Sequence, residues 1–488
     1  MSDRPWGFVA VHAGAGRHAR SSDPVYKQGM AEACKAAAQV LQRQPADPLE
    51  AVAAALKVLE DDAVSNAGFG SNLNFTGHVE CDASVMAGDG MFGAIGAAPG
   101  IKNPGLAAGR LAQESRNPLT AGRVRPMFLA GDGARKWALE QGLEAAASCQ
   151  EAAQMHVTAR AQRQHRQWMR LAHPSVPQPS STTTRIADHI VSEALDPHSP
   201  SGSVPKSCPA SLGASRQDQH KLSAWHPKVP SENLQLCSNS DSHARNELSE
   251  PDCEEAGHHF RDFPPLPASC AQQLKLSADP FPADDRILQH RHVPAAASEG
   301  LEERLWDTVG AVCCNASGML ASGVSSGGIA LKTPGRVGEA AMYACGCWAQ
   351  DPHHTRSGAA CSTSGVGEVI MRGQLAKNCC HRLLHGAADL EAACAASLAA
   401  TCQQAQEGPH DCGVLMLKTQ KAGIPSPSAD AIGLAHLEAE LVAAVRAPSM
   451  AFCYWHGAMQ IPRAIILRNA CGAQDQPAHF GIHTSWPA

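Results

Sequence analysis

No apolar run in this 488-residue sequence is long enough to span a bilayer, and the mean hydropathy is -0.22. Membrane-spanning helices are therefore not expected. An excess of basic charge is missing too. The formal net charge is -6 and basic clusters such as 160–170 are sparse, which argues against a surface built on phosphate contacts and against nucleic acid as a partner. The opening stretch MSDRPWGFVAVHAGAG lacks the basic start, apolar segment and small-residue cleavage site of a secretory signal. Nucleus and/or cytoplasm is the expected location, not secretion. No two CxxC pairs frame a zinc site, and Cys345-Gly-Cys347 followed by His353-His354 fits no standard zinc module. In a reducing compartment the 19 cysteines are expected to pack as small hydrophobes and not to form bridges.

What is present falls into three stretches. Residues 1–145 look globular: an apolar run at Phe8 to Val11 enters the glycine loop His12 to Gly16, and two alanine-rich segments with helical spacing follow, Tyr26 to Leu41 and Pro48 to Leu59. Asp47 and Pro48 form a cap-and-first-turn pair for the second. Val79 to Met86 alternates as a strand, and Met127 to Gln141 reads strand, glycine turn, helix. Residues 146–307 are rich in proline, serine and histidine and hold half of the 24 histidines. Such a composition buries too little apolar surface to offset chain entropy, so a long disordered insert is expected, with Gln150 to Leu171 an amphipathic basic exception. Residues 308–488 return to periodic order. Val309 to Cys314 and Leu320 to Ser325 make a hairpin around Asn315 to Gly318. Ala359 to Thr363 is a strand, one helix runs from Gly367 to His385, and a second is capped by Asp389. Further strands are expected at 412–417, 437–445 and 450–454. Strands, a helix pair and strands again make an α+β layered sandwich, not a doubly wound fold.

The chemistry concentrates at Asp307-Thr308, where the insert ends and a strand begins with threonine. A threonine hydroxyl needs a base beside it to act as a nucleophile. Scission of the preceding peptide bond would release an α-amine with a pKa of roughly 7.7–8.0, neutral often enough near physiological pH to accept the hydroxyl proton. Threonine is equally a good strand residue, and residue chemistry alone does not decide between the two. Gly323-Val-Ser325-Ser-Gly327 formally matches G-x-S-x-G, but a nucleophile elbow needs a helix directly after the serine. Two glycines and Pro334 follow instead.

The order of seven motifs decides it: HAGAG at His12, NAGFGSNLN at Asn66, ECDASVM at Glu80, TVGAV at Thr308, VSSGG at Val324, PGRVG at Pro334 and TSGVGE at Thr363. This series resembles the asparaginase-type N-terminal-nucleophile hydrolases over both ordered stretches and fails only in the insert. The resemblance implies a four-layer αββα sandwich in a single catalytic domain. It is strongest to the threonine aspartase branch, proteases that cut after aspartate. Asp307 precedes the nucleophile where the amidases have glycine, Ser326 stands where they carry threonine, and AAMYACGCWAQ resembles that branch.

From the resemblance follow the expected roles. Thr308 cuts the Asp307-Thr308 bond and then serves as catalytic nucleophile, leaving fragments 1–307 and 308–488. Ser326 holds the nucleophile and its amine. Arg336 grips the substrate carboxylate, for which a bidentate guanidinium is well suited. Glu339 stands where the amidases bind a free α-amine. Asn66, Gly14, Ser364, Gly365 and Gly367 line the pocket and its oxyanion donors. No cofactor is expected, although Leu59 to Phe69 resembles a loop that holds sodium through carbonyls. Protein substrates with aspartate at the cut position, transcription regulators among them, and self-association as an αβ heterodimer pairing into (αβ)2 complete the expectation. The alternative within the family is an L-asparaginase or isoaspartyl peptidase acting on small substrates.

Overall fold

The computed structural model describes residues 7–43, 46–117, 119–172, 308–352, 357–404, 410–422, 436–469 and 477–487. Asp307 and most of the expected insert lie outside them, as do His353 and His354. Thirteen strands are described: β1 (Gly7–Gly16), β2 (Cys81–Ala87), β3 (Phe92–Ala98), β4 (Phe128–Ala130), β5 (Val309–Asn315), β6 (Leu320–Ser326), β7 (Cys347–Gln350), β8 (Ser357–Gly365), β9 (Cys412–Ala422), β10 (His436–Val445), β11 (Ser449–His456), β12 (Arg463–Arg468) and β13 (Ala478–Pro487). They form an eight-stranded sheet, β12-β11-β1-β5-β6-β2-β3-β4, and a five-stranded sheet, β13-β10-β9-β8-β7. β1, from the first stretch, lies between β5 and β11 of the last one, so the two ordered stretches build one sheet together.

Strand alternation sorts side chains into layers. In β5, Val309, Ala311 and Cys313 join the core beneath the helices 23–41, 48–60 and 104–114, whereas Val312 and Cys314 join the core between the sheets. β11 repeats this with Ala451, Cys453 and Trp455 on one side and Met450, Phe452 and Tyr454 on the other. In the second sheet Leu415 and Leu417 face the first sheet, while Val414 and Met416 face the helices Leu375–His385 and Leu390–Gln403. Helix, sheet, sheet, helix is the expected αββα order. The cysteines are spread through these cores: among the described residues none is bridged, and Cys149 is the one exposed.

Local signals explain several boundaries. Asp47 accepts the Leu49 N–H at 2.9 Å ahead of Pro48, and Asp389 accepts that of Ala392 at 2.7 Å, each meeting a donor that the first turn leaves unpaired. The helix expected from Gly367 to His385 is instead two, Gly367–Gly373 and Leu375–His385. Gln374 turns left-handed there at φ 43°, and Gly373 is pressed so closely on Thr401 that a Cβ would collide. Helical structure also runs past residue 145, with helices Cys149–Gln154 and Ala159–Ala172; the single helix expected over 150–171 is thus interrupted. In β1, Gly14 has φ 100° at a bulge that shifts the register with β11 between His12 and Ala15. Val11 and Ala13 therefore face the helices and Ala15 the space between the sheets.

Candidate active site

Thr308 enters β5 with its side chain on the inter-sheet face, and the β5–β6 pairing, Val309 opposite Ser325, brings Ser326 beside it. Thr308 is 3% exposed. Its hydroxyl lies 3.1 Å from Ser326 Oγ and 3.0 Å from Glu339 Oε1, with one proton to share between them. Ser326 Oγ also accepts the Gly328 N–H at 3.0 Å. Glu339 is buried, which pushes its carboxyl above the ordinary value, and the nearby Arg336 guanidinium opposes that shift. In the continuous chain the nitrogen of Thr308 is an amide, so the groups beside the hydroxyl are the Glu339 carboxyl and the Ser326 hydroxyl.

Asp82 of β2 holds the backbone on the N-terminal side of Glu339. One of its oxygens accepts the Ala97 N–H at 2.7 Å and the other the Gly338 N–H at 2.8 Å. Arg336 reaches the same cleft through a cradle of glycines. A Cβ at Gly338 would come within 2.7 Å of its Nη1, and one at Gly367 within 2.7 Å of its Nη2 and 2.5 Å of Glu339 Oε2. The guanidinium already holds a carboxylate bidentately, Nε to Glu368 Oε1 at 2.9 Å and Nη2 to Glu368 Oε2 at 2.8 Å. The Arg336 side chain is 14% exposed and that of Glu368 48%, so a substrate carboxylate would exchange with a half-exposed one. This bidentate fit is the geometry that favours carboxylates over neutral groups.

Thr308, Ser326, Arg336, Glu339, Asn66, Gly365 and Gly367 thus line one narrow cleft, open to solvent. Two expected members do not line it. Gly14 serves the β1 bulge, and the Ser364 hydroxyl accepts the Ala15 N–H at 2.9 Å, tying β8 to that bulge. Asn66 does line the cleft, but its amide is engaged within the chain: Nδ2 donates to Gly328 O at 2.9 Å and Oδ1 accepts the Asn72 N–H at 2.9 Å. It holds the 327–328 turn with one of its two amide hydrogens. Asp307 lies outside the described residues.

Near the Thr308 backbone is a buried pair that residue chemistry did not single out. Ser362 Oγ donates to Gly323 O at 3.1 Å and sits 2.8 Å from His12 Nε2, which therefore donates to it. Burial lowers the His12 pKa to about 3, against a smaller upward pull from the Thr308 backbone, so this ring is neutral at pH 7. Glu368 was also missed as a partner of Arg336, although it closes the TSGVGE motif.

A four-layer αββα sandwich with a buried threonine heading an inner strand defines an N-terminal-nucleophile hydrolase. The sequence profile of the asparaginase family matches residues 6–191 and 272–430, and the chain belongs to that family. Among its relatives, an isoaspartyl peptidase/L-asparaginase of Xenopus laevis is 36% identical over 136 residues, 28% of this chain and 41% of its own length. A plant-type L-asparaginase of Pyrococcus abyssi gives the same identity and shares. The isoaspartyl peptidase/L-asparaginase of Homo sapiens is 36% identical over 138 residues, 28% and 42% of the two chains. The alignments span about two fifths of these relatives' length.

Proposed function

We propose that the chain is a self-processing threonine endopeptidase that cuts after aspartate, first at Asp307-Thr308 and then in protein substrates. The observation that carries the nucleophile is the Thr308 hydroxyl, buried and hydrogen-bonded to Ser326 and Glu339 at the wall of a cleft with an arginine in it. In the first turnover Thr308 Oγ1 bonds to the Asp307 carbonyl carbon and the C–N bond breaks. The hydroxyl proton ends on the freed nitrogen, and water then hydrolyses the ester. The new α-amine takes over as base for later substrates. Self-processing would itself be cleavage after aspartate, which is why Asp307 favours a cleft that accepts an aspartyl residue with chain on both sides, its carboxylate on Arg336. Transcription regulators as targets, residence in the nucleus and an (αβ)2 assembly belong to this reading.

A second reading is L-asparaginase or isoaspartyl peptidase chemistry on small substrates. The names of the relatives speak for it more than for the first. Glu339 beside Arg336 favours it as well, because a carboxylate and a guanidinium together suit the two charges of a free amino acid. N-terminal sequencing of the incubated protein tests the shared core: a new terminus at Thr308, absent from Thr308→Ala, is expected. Cleavage of peptides after aspartate without ammonia release from L-asparagine supports the endopeptidase. The reverse pattern replaces it with the amidase.

A further inference from the structure

The loop 59–69, whose likeness to a sodium-holding loop rests on carbonyl oxygens, already has several of those carbonyls occupied by this chain. Ser65 Oγ donates to Leu59 O at 2.6 Å and lies 3.1 Å from Asp62 O. Arg160, the second residue of helix Ala159–Ala172, donates through Nη1 to Ala63 O at 2.9 Å and Val64 O at 3.3 Å. A sodium ion needs several carbonyl oxygens turned toward it at once, and here four of them face a hydroxyl or a guanidinium. With Arg160 in place the loop does not fit the ion. A permanently charged guanidinium supplies positive charge at the same carbonyls.

The same helix packs on the chain that follows the loop. Ala161 is buried in a cluster with Leu73, Val79 and Cys81, and His165 Nε2 lies 3.4 Å from Phe75 O. From there the loop is laced to the strand exit that carries the site. The Gly327 N–H donates to Asn66 O at 2.7 Å, and Asn66 Nδ2 and Asn72 Nδ2 donate to Gly328 O at 2.9 and 3.0 Å. The Leu331 N–H donates to Leu73 O at 3.0 Å, and the Phe75 N–H to Lys332 O at 2.9 Å. Gly328 in turn donates to Ser326 Oγ, the neighbour of the nucleophile.

We propose that Arg160 is a positioning residue that stands in for an alkali cation on this loop and, through Asn66 and Gly328, keeps Ser326 aligned with Thr308. Its activity readout rests on Thr308 being the nucleophile. The experiment compares wild type, Arg160→Gln and Thr308→Ala as full chains, in NaCl and in choline chloride at equal ionic strength, following self-cleavage on gels, kcat and KM on an aspartyl peptide, and melting by circular dichroism. Loss of charge-assisted hydrogen bonds at one point predicts about a tenfold fall in processing rate and kcat for Arg160→Gln, with KM little changed. Millimolar guanidinium ion should restore much of that rate, and sodium should raise the melting temperature of Arg160→Gln but not of wild type. A wild-type rate in Arg160→Gln, a loss that guanidinium does not restore, or a wild-type enzyme that requires sodium overturns the proposal. Cleavage by Thr308→Ala would sink the nucleophile instead, and the sodium dependence of melting would still judge Arg160.

Discussion

Replacing Glu339 by glutamine separates the two substrate classes while leaving the shape of the cleft. The side chain is buried, accepts from the Thr308 hydroxyl at 3.0 Å and lies beside Arg336. Glutamine keeps an oxygen acceptor for Thr308 but removes the charge. A substrate presenting a free ammonium group would lose a charge-assisted hydrogen bond, about 1.5–3 kcal/mol, which is roughly 10- to 100-fold in kcat/KM. A peptide cut after aspartate presents a neutral amide nitrogen at that place, for which glutamine keeps an oxygen acceptor, and should change by no more than about fivefold, the scale of one neutral hydrogen bond. The carboxylate form of Glu339 is the one that pairs with an ammonium, and burial raises its pKa. Any free-amine activity should therefore fall off on the acid side from a higher pH than an ordinary glutamate would give, and Glu339→Gln should lack that limb. The assay is ammonia release from L-asparagine beside cleavage of an aspartyl peptide, both across pH. Equal losses on both substrates would refute the reasoning, because Glu339 would then act on the nucleophile and not on the substrate amine.

Three further outcomes are expected. Ser326→Ala removes one partner of Thr308 and strands the Gly328 N–H, an effect of about 1–3 kcal/mol; processing on gels should slow by tenfold or more, and Ser326→Thr should recover most of it. Gly310→Ala forces a Cβ onto Ser362 Oγ and His12 Nε2 with Gly323 O 3.0 Å away; overpacking of this kind costs about 1–3 kcal/mol, and an unchanged melting temperature would contradict the packing described. Glu60 is buried, Oε1 accepts the Gly105 N–H at 2.7 Å, and burial raises its pKa from 4.5 to about 8. The folded chain therefore holds this proton more tightly than the unfolded one, and stability is lost as pH rises from about 4.5 to about 8. Glu60→Gln keeps the acceptor, so its melting advantage over wild type should grow across that window, by about 2–4 °C per kcal/mol. His12 and His156, lowered to about 3 and about 4 by burial, act in the opposite sense below pH 6.5 but are common to both proteins; a pH-independent difference would count against the Glu60 assignment.

Much of the frame was legible because it is local. Apolar runs at 309–314 and 320–325 around a turn mark two strands, and capping by Asp47 and Asp389 places two helices, since each depends on residues a few positions apart. The order of the motifs likewise pointed to Thr308, Ser326 and Arg336 before any contact was known. β3, whose sequence FGAIGAA is glycine and alanine apart from Phe92 and Ile95, carries almost no period, and the left-handed turn at Gln374 that splits the helix has no local signal of its own. What the tertiary structure alone decided are the pairings across long stretches of chain: His12 with Ser362, Asn66 with Gly328, Arg160 with Ala63, Asp82 with Gly338 and Arg336 with Glu368. A side chain's face follows from its place in a strand, but which group it meets depends on strand register and on how loops are laced, and those are fixed by the packing of the whole sandwich.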